Sequence, residues 1–370
     1  MTRVLIGDIA RAIAKRFPLE WAEEWDRVGL LAGDPAREVA GVVLALDPTR
    51  EAIAEAARLG ANVLVTHHPA FLETPQWITP GRGSAGVLFT AMDSKVALIN
   101  AHTNLDRAPA AGHLLADALG LPTIKPIERP PMPMALVSVY VPASHADAVA
   151  LAMTGAGAGR LGEYEATHFV SGEGRGLFTP SATATPYVGT RTEPSEAPEV
   201  RVDMIAPRNR VKGVLAAARS AHPYEEPLIA AADVEIARTS ARMGMLCGTP
   251  HGLTLGDLAN LAARTFGITP TVYGDSERVL GRIVTGTGSV RALVGDALAS
   301  GATALLGGEV RYHDALDAAE MGLSVIEIGH DVSEWPLVRL LEEVVRSVKD
   351  LDSEAVHVLP AKPAWWTPSI

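Results

Sequence analysis

At residues 63–69 the chain reads Val63-Leu64-Val65-Thr66-His67-His68-Pro69. The first four residues have the apolar, β-branched character of a buried strand, and the proline stops regular strand pairing. Ligands bind at the carboxyl ends of the strands in an open α/β sheet, which is where His67 and His68 lie. Imidazole is the commonest protein ligand for transition metals, and two extended neighbours point to opposite sides. The stretch therefore predicts an α/β fold in which each histidine binds one of two adjacent ions, with a solvated histidine pair as the alternative.

The composition is that of a globular protein with an acidic balance. The chain has 370 residues, of which 48% are hydrophobic and 20% charged, enough for two or three domains with sizeable cores. Its net charge is −11 and no run of lysine or arginine stands out, so nucleic acid is not an expected partner. Asp8, Arg11 and Lys15 interrupt the apolar residues near the N-terminus, and no apolar run is long enough to span a bilayer. We therefore expect a cytoplasmic protein without a membrane segment.

Cys247 is the only cysteine in the sequence. An intrachain disulfide and a thiolate zinc cluster are therefore excluded. We predict that Cys247 is a small buried apolar residue.

Two regions with alternating strand and helix patterns flank a region of different composition. The change comes at Glu128-Arg129-Pro130-Pro131-Met132-Pro133, a proline-rich stretch typical of a linker. The region after it is rich in strand patterns and in glycine, threonine and proline, and it ends near residue 237. The sequence thus predicts a core domain formed by residues 1–129 and 238–370, with an inserted α+β domain at residues 130–237.

The two flanking regions also resemble each other. Gly60-Ala61-Asn62-Val63-Leu64-Val65-Thr66 matches Gly301-Ala302-Thr303-Ala304-Leu305-Leu306-Gly307, and each stretch follows an alanine-rich helical pattern. Residues 96–102 match residues 324–330, and each of these ends in a small residue followed by histidine. Two repeats in the same order indicate two related α/β halves with one cleft between them. This arrangement would bring four histidines towards a common place, namely His67, His68, His102 and His330.

A second group of polar residues follows the strand pattern of residues 324–328, in His330-Asp331-Val332-Ser333-Glu334. An apolar helical pattern begins just after it, and Pro336 fits the first turn of a helix. We therefore predict that His330 and Glu334 flank a strand-to-helix turn and do not share a helix face. Glu334 has the charge and the two oxygens needed to bridge two cations, while complementing the helix dipole is its alternative role.

Asp106 completes a candidate set of ligands, although capping the helix after Pro109 is its alternative role. The set contains three imidazoles and two carboxylates: His67, His68, Asp106, His330 and Glu334. A mixed nitrogen and oxygen shell suits zinc, iron, manganese or cobalt, and is poor for copper(I) or an iron–sulfur cluster. Two such divalent ions about 3.5–4 Å apart would polarise a substrate oxygen and generate hydroxide at neutral pH.

At these residues the chain resembles the NIF-three-like family of dinuclear metal proteins, whose members are often labelled GTP cyclohydrolase I type 2 homologues. The resemblance extends over nearly the whole chain and is carried by several motifs in the same order: Glu24-Trp25-Asp26, Val28-Gly29-Leu30, Val65-Thr66-His67-His68-Pro69, Ala101-His102-Thr103-Asn104-Leu105-Asp106, Gly308-Glu309-Val310-Arg311-Tyr312-His313-Asp314-Ala315-Leu316, and Gly329-His330 with Ser333-Glu334. Carried over by motif, it implies that the metal ligands are His67, His68, Asp106, His330 and Glu334, with Glu334 as the bridge.

The resemblance also implies features of fold and assembly. The inserted domain, with its His222-Pro223-Tyr224-Glu225-Glu226-Pro227 motif, is similar to the PII/CutA-like, ferredoxin-like domain of longer family members. The family implies a homo-oligomer, a hexameric toroid whose metal sites face an inner cavity. This chain departs from the family pattern at two positions, since Arg27 stands where a small amide is expected and Asp331 where an aromatic residue is usual. These departures bear on the substrate pocket and leave the five ligands intact.

Other polar residues are weaker candidates. His102 and His313 are tentative catalytic residues, as proton carriers or as partners of the ligands, and a structural role is the alternative for each. Thr285-Gly286-Thr287-Gly288-Ser289 could bind an anion at a helix N-terminus, or form a plain tight turn. The segment from His222 to Glu226 could bind a metal or be a surface loop.

Two hypotheses about function follow. The first is a metal-dependent hydrolase in which two ions activate water for attack on a small-molecule substrate, a nucleotide or another phosphate-bearing metabolite. The cyclohydrolase label of the family points to GTP, and no residue in the sequence selects a purine. The second is a non-catalytic metal-binding scaffold or regulator whose inserted domain senses a small ligand or binds a partner. The sequence names neither the substrate, nor the native metal, nor a protein partner.

Overall fold

The computed structural model describes residues 3–81, 83–127, 132–161, 164–236, 242–361 and 365. The chain divides into two units. The core unit comprises Met1–Arg129 and Ala241–Ile370, and the inserted unit comprises Pro130–Ser240. Residues 128–131 of the predicted linker and the predicted boundary at residues 237–238 lie outside the described residues.

Helices and strands alternate along both parts of the core unit. The first part contains α1 (Ile6–Arg16), β1 (Gly29–Ala32), β2 (Val42–Ala45), α2 (Arg50–Arg58), β3 (Val63–Thr66), α3 (Gly83–Asp93), β4 (Ala97–Asn100), α4 (Thr103–Asp106), α5 (Pro109–Ala118) and β5 (Thr123–Pro126). The inserted unit contains β6 (Met132–Val141), α6 (Ala146–Gly155), β7 (Phe169–Val170), β8 (Gly174–Phe178), β9 (Ser195–Pro207), α7 (Val211–Ala221) and β10 (Ile229–Ile236). The second part of the core unit contains β11 (Met245–Cys247), α8 (Leu255–Phe266), β12 (Thr271–Tyr273), β13 (Ile283–Thr285), α9 (Val294–Ala299), β14 (Ala304–Gly307), α10 (Tyr312–Glu320), β15 (Ser324–Glu327), α11 (His330–Arg346) and β16 (Val356–Val358).

The core unit contains two sheets that share the arrangement of four of their strands. The first sheet has the order β1-β4-β3-β2-β16, and the second has the order β12-β15-β14-β13-β11-β5. In each sheet three central strands are parallel, and the outer strand β1 or β12 is antiparallel to its neighbour. The strands β2, β3 and β4 therefore correspond to β13, β14 and β15 in order and direction. The prediction of two related α/β halves is confirmed.

The strand β3 is buried on both faces, which explains its unbroken apolar sequence. Successive side chains of a strand point to opposite faces of the sheet. Val63 and Val65 pack in one apolar cluster with α1, α5 and α11, while Leu64 packs in another with α2 and α3. Each half also adds a strand to the sheet of the other, because β16 pairs with β2 and β5 pairs with β11. The two halves are therefore parts of one domain.

The sequence prediction for the start of α11 is wrong. The helix begins at His330, so His330 and Glu334 lie four residues apart on one helix face. Gly329 makes the turn from β15 into the helix with a φ of 98°, which a residue without a Cβ adopts at no steric cost. Pro336 lies inside the helix, where its missing N–H removes one intrahelical hydrogen bond. Pro336 is thus a misleading signal for the helix start.

The inserted unit has an α+β fold of ferredoxin-like topology. Its sheet has the order β10-β6-β9-β7 with antiparallel pairs throughout, and α6 and α7 follow β6 and β9. This order is that of the βαββαβ motif. The strand β8 pairs with an earlier part of β9, outside that four-stranded order. The predicted α+β class of the insertion is confirmed.

Two smaller predictions concern single features of the fold. Cys247 lies in β11 and is fully buried, as predicted. Among the described residues, none of the helices combines the length and the apolar character that crossing a bilayer requires.

Candidate metal centre

Six histidine and acidic side chains come together at the carboxyl ends of the central strands. They form the acid–histidine cluster: His67, His68, His102, Asp106, His330 and Glu334. His67 and His68 directly follow β3, and the other four lie in or beside α4 and α11, the helices that follow β4 and β15. Both halves of the core unit therefore contribute side chains to one cluster.

Glu334 lies at the centre of the cluster and is buried. Its Oε2 atom lies 2.8 Å from Nε2 of His68 and 3.0 Å from Nε2 of His330. Its Oε1 atom lies 3.7 Å from Nε2 of His67, and that nitrogen is also 3.7 Å from Oδ2 of Asp106. The two oxygens of one carboxylate thus face two different sets of side chains.

The side chains of the cluster form three overlapping groups whose potential ligand atoms lie within 4.8 Å of one another. His68, His330 and Glu334 form the first group, and His67, Asp106 and Glu334 form the second. The third contains His67, His68 and His102. Groups with this spacing could bind a metal ion, and Glu334 is shared between the first two.

The imidazoles of His67 and His68 are held by oxygen atoms of residues outside the cluster. Nδ1 of His67 donates to the carbonyl oxygen of Ala101 at 2.9 Å, and Nδ1 of His68 donates to Oδ1 of Asp47 at 2.7 Å. A hydrogen bond at Nδ1 fixes the proton there, which leaves the lone pair of Nε2 for a metal.

The other two imidazoles have the same kind of partner. Nδ1 of His102 donates to Oδ1 of Asp26 at 2.9 Å, and Nδ1 of His330 lies 3.2 Å from Oε1 of Glu309. Asp26 is itself held by the backbone N–H and the hydroxyl of Thr103, which donate to its Oδ2. All four rings therefore have an acceptor at Nδ1, which is the usual arrangement around metal-binding histidines.

Opposite charges compensate one another inside the cluster. Burial opposes the protonation of His68, but its hydrogen bonds to Asp47 and Glu334 outweigh burial and raise the pKa of His68 to about 10. The hydrogen bond to Glu334 raises the pKa of His330 to about 9. Burial would raise the pKa of Glu334, but the surrounding imidazoles hold it well below its usual range. Protonated imidazoles and divalent cations compensate the same buried carboxylate, so the two compete for the same Nε2 atoms.

The loop at residues 285–289 supports the cluster. The hydroxyl of Thr287 donates to Oδ1 of Asp106 at 2.8 Å, and the N–H of Gly288 donates to Oγ of Ser333 at 2.9 Å. Gly288 has a φ of 59°, and a Cβ at this position would overlap Oε1 of Glu334. The loop considered from the sequence as an anion site or a plain turn therefore donates a hydrogen bond to Asp106 and packs its backbone closely against Glu334.

The space around His67 fits a cation. Its Nε2 atom is buried and makes no hydrogen bond within the part of the chain that the structure describes. The distances of 3.7 Å from this nitrogen to Asp106 and Glu334 are too long for hydrogen bonds. They suit an ion between the three atoms, because zinc binds nitrogen and oxygen ligands at about 2.0–2.2 Å. The mixed set of nitrogen and oxygen donors also matches the preferences of divalent transition metals.

A comparison with known protein families shows which family this chain belongs to. The family described as Duf34/NIF3 (NGG1p interacting factor 3) matches residues 4–363. The chain belongs to the Duf34/NIF3 family.

Relatives in this family are similar over nearly their whole length. A protein of Listeria monocytogenes named GTP cyclohydrolase 1 type 2 homolog is 28% identical over 92% of this chain and 92% of its own. A Staphylococcus aureus protein of the same name is 31% identical over 88% of each chain. Among solved structures, a Bacillus cereus protein related to NIF3 is 28% identical with a TM-score of 0.64, covering 99% of this chain and 100% of that one. The resemblance inferred from the sequence motifs is confirmed.

The two tentative catalytic histidines of this Duf34/NIF3 protein, His102 and His313, occupy different environments. His102 lies in the cluster, with its ring centroid 5.2 Å from that of His67 and 5.6 Å from that of His68. His313 is exposed in the first turn of α10 and belongs to none of the three groups, which were sought among the described residues. Its neighbour Asp314 forms an ion pair with Arg291 at 2.8 Å. A catalytic role for either histidine stays a prediction.

Four further residues contact the cluster: Asp47, Glu309, Thr287 and Ser333. Asp47 was not singled out from the sequence, whereas the other three lie in motifs quoted there without a role beside the ligands. Asp47 and Glu309 each follow one of the central strands within two residues, as His67, His68 and His102 do. That position is the one signal in the sequence that could have identified them.

Proposed function

We propose that the acid–histidine cluster binds two divalent metal ions bridged by Glu334. The observation that carries this proposal is that Glu334 belongs to two groups with the spacing of metal ligands. One ion would be held by His68, His330 and Glu334, and the other by His67, Asp106 and Glu334. These five residues are the ligand set that the family resemblance implies, and zinc, iron, manganese or cobalt would suit it.

We infer that this metal centre is the active site of a hydrolase. Bound divalent ions act as Lewis acids that polarise a substrate oxygen and lower the pKa of water. His102 is the imidazole outside both proposed ligand sets, and it is suited to carry a proton between substrate and solvent. Asp26 accepts a hydrogen bond from its Nδ1, so the orientation of the ring and the position of its Nδ1 proton are fixed. Although burial opposes it, hydrogen bonds from His102 and Thr103 lower the pKa of Asp26 and keep that carboxylate charged.

The residues beside Asp26 support a substrate with a ring and a phosphate. Trp25 is 54% exposed, and its ring lies edge-on to His102 with centroids 6.0 Å apart. An exposed indole beside the cluster offers a face on which a nucleobase can stack. Arg27 is also exposed and donates hydrogen bonds to the carbonyl oxygens of Trp25 and Asp26, and a guanidinium group is suited to phosphate. The names of the relatives, GTP cyclohydrolase 1 type 2 homolog, point in the same direction.

Elemental analysis and a turnover screen test the proposal together. We expect two divalent ions per chain in the native protein, and hydrolysis of at least one member of a nucleotide and phosphoester panel with added zinc, manganese or iron. Glu334→Gln should lose both metal and turnover. Glu343→Gln is the matched control, because Glu343 is an exposed residue of the same helix. One ion per chain would contradict the dinuclear centre, and turnover that survives Glu334→Gln would contradict catalysis by it.

A second candidate function is a non-catalytic metal-binding scaffold or regulator. It is favoured by a cavity of about 910 Å³ in the inserted unit, which is large enough for a small-molecule ligand. A full complement of metal without turnover of any substrate in the panel would favour this alternative. The PII/CutA likeness of the insertion, the hexameric toroid and the cytoplasmic location stay predictions, and sedimentation analysis tests the second of them.

A further inference from the structure

The cavity of the inserted unit lies between β8, the loop that follows β8, and residues 224–228. Its volume of about 910 Å³ falls within the range of about 300–1,000 Å³ that is usual for small-molecule sites. Four aromatic rings line it, those of Tyr140, Phe178, Tyr187 and Tyr224. No role in the proposed metal chemistry accounts for this cavity, since all its lining residues belong to the inserted unit.

Glycine residues form the floor of the cavity. Gly172, Gly174 and Gly176 alternate along the chain at and before β8, and all three line the cavity. A Cβ on Gly172 would contact nothing within 4 Å, and one on Gly174 would meet a single backbone oxygen at 3.8 Å. Glycine weakens a strand unless something must approach its backbone closely. The open space above Gly172 and Gly174 therefore leaves room for a ligand at the start of β8.

The aromatic wall is held in a fixed position by His222. This buried imidazole lies 2.8 Å from the carbonyl oxygen of Tyr140 through Nε2, and its Nδ1 accepts the N–H of Tyr224 at 3.0 Å. Both ring nitrogens are thus used in backbone hydrogen bonds, which argues against the metal role considered from the sequence. The ring of Tyr224 lies 5.9 Å from that of Tyr187 and 6.4 Å from that of Phe178, at tilts of 42° and 49°. The rings of Tyr187 and Phe178 are therefore both tilted against the ring of Tyr224 in the wall of the cavity.

Most charged groups around the cavity are already compensated. Arg175 pairs with Glu196 through two hydrogen bonds of 2.5 Å, and Arg201 pairs with Asp203 at 2.9 Å. Of the three glutamates in the lining, Glu226 pairs with Arg219 at 3.1 Å.

Glu225 and Glu199 differ from these paired groups. Glu225 accepts the backbone N–H of Thr185 at 2.8 Å. Within the described residues, Glu199 forms no ion pair with a lysine or an arginine. Its carboxylate lies against Gly176, where a Cβ would overlap it, so glycine makes room for this charge. It is also close to the Tyr224 hydroxyl, whose pKa is raised to about 12 by burial and by this carboxylate. The uncompensated charge of the cavity is therefore negative.

We propose that this cavity binds a small organic cation, an amine or quaternary ammonium compound with an apolar body. Cations are attracted to the faces of aromatic rings, and aromatic cages are the usual recognition sites of quaternary ammonium groups. Glu199 supplies the opposite charge, and the glycine floor accommodates the apolar body. The site shares no residue with the metal centre, and its occupancy would give the inserted unit a ligand to sense.

Calorimetric titration of the full-length protein with benzyltrimethylammonium chloride tests this assignment. Benzyl alcohol at the same ionic strength serves as the neutral counterpart. We expect saturable binding of the cation alone, and at least a tenfold loss of affinity in Glu199→Gln, which keeps the size and removes the charge. Gly174→Val fills the floor and should abolish binding. Glu173→Gln removes a neighbouring exposed carboxylate that does not line the cavity, and it should bind the cation as the native protein does.

Three possible results would contradict the assignment of a cation site. Equal binding of cation and alcohol, no binding of the cation, or an unchanged affinity in Glu199→Gln would overturn the assignment. Glu199→Gln remains decisive if Gly174→Val does not fold, because the glutamine preserves the shape of the site. Metal content measured on the same samples separates an effect on this cavity from damage to the core unit.

Discussion

The two halves of the core unit place a histidine and an acidic residue at equivalent positions, yet they orient them differently. After β4 the chain carries His102 and Asp106, and after the corresponding strand β15 it carries His330 and Glu334. In each pair the two residues lie four positions apart in the sequence. In the second half the two side chains meet, with Nε2 of His330 only 3.0 Å from Glu334.

The residue before each histidine explains the difference. Gly329 takes a φ of 98°, so that His330 becomes the first residue of a helix of 17 residues. Ala101 lacks this freedom, and His102 is the cap of a helix of only four residues with φ of −108° and ψ of −111°. The ring of His102 turns to Asp26, and Oδ2 of Asp106 lies 3.7 Å from Nε2 of His67, a residue of the same half. A repeated sequence pattern therefore yields one acid–histidine pair and one separated pair, and their different uses can be tested by substitution.

The largest expected difference is between Glu334→Gln and Asp106→Asn. Glu334 is shared by both proposed ion sites, whereas Asp106 belongs to one. We expect Glu334→Gln to lose nearly all metal, with affinity falling by well over about 100-fold, since losing an outer hydrogen-bond partner alone costs about 10–100-fold. Asp106→Asn should keep one of the two ions. Metal per chain after dialysis, with circular dichroism to verify folding, distinguishes the two. Equal losses in both variants would contradict the bridging role.

A smaller loss is expected when the support of Glu334 is disturbed. Gly288→Ala would place a Cβ against Oε1 of Glu334, so the carboxylate must move, and we expect metal affinity to fall towards the upper end of about 10–100-fold. Gly301→Ala is the control, because Gly301 has a similar φ of 73° but nothing within 4 Å of a Cβ. Both variants bear the strain of a left-handed residue, about 1–2 kcal/mol. A metal affinity reduced equally in both would show that strain, and not the contact with Glu334, is responsible.

Much of this arrangement could be predicted from the sequence because it depends on local patterns. The apolar run at β3 identifies a strand buried on both faces, and the repeated glycine-started stretches at Gly60 and Gly301 identify two equivalent strands. Parallel strands with a common direction bring their carboxyl ends to one edge. Residues from distant parts of the chain, such as His67 and His330, could therefore be placed together without knowledge of the coordinates.

What could not be predicted depends on contacts between distant residues or on one backbone angle. Nothing near Asp47 in the sequence shows that its carboxylate reaches His68, since this contact follows from how the loops after β2 and β3 meet. Pro336 is acceptable both in a first helical turn and, at the loss of a hydrogen bond, further inside a helix. The φ of Gly329 decides between the two, and a glycine before a histidine does not reveal its own angle. The close approach of Gly288 to Glu334 could not be predicted either, because it also depends on a backbone angle that the sequence does not reveal.

The smallest effect is expected from substitutions of Asp26 and Glu309, which contact the Nδ1 atoms of the equivalent residues His102 and His330. Glu309 lies 3.2 Å from Nδ1 of His330 and its side chain is 58% exposed, so we expect Glu309→Gln to lower metal affinity by about tenfold, the lower end for such partners. Asp26→Asn should leave metal affinity unchanged, because His102 lies outside both proposed ligand sets. It should instead reduce turnover, since an amide can also offer its NH2 group to Nδ1 and no longer fixes the proton of the His102 ring there. Metal titration and a pH–rate profile on both variants separate these outcomes. If Asp26→Asn loses metal as Glu309→Gln does, His102 binds a metal ion together with His67 and His68. The two halves would then be more alike than their backbones indicate.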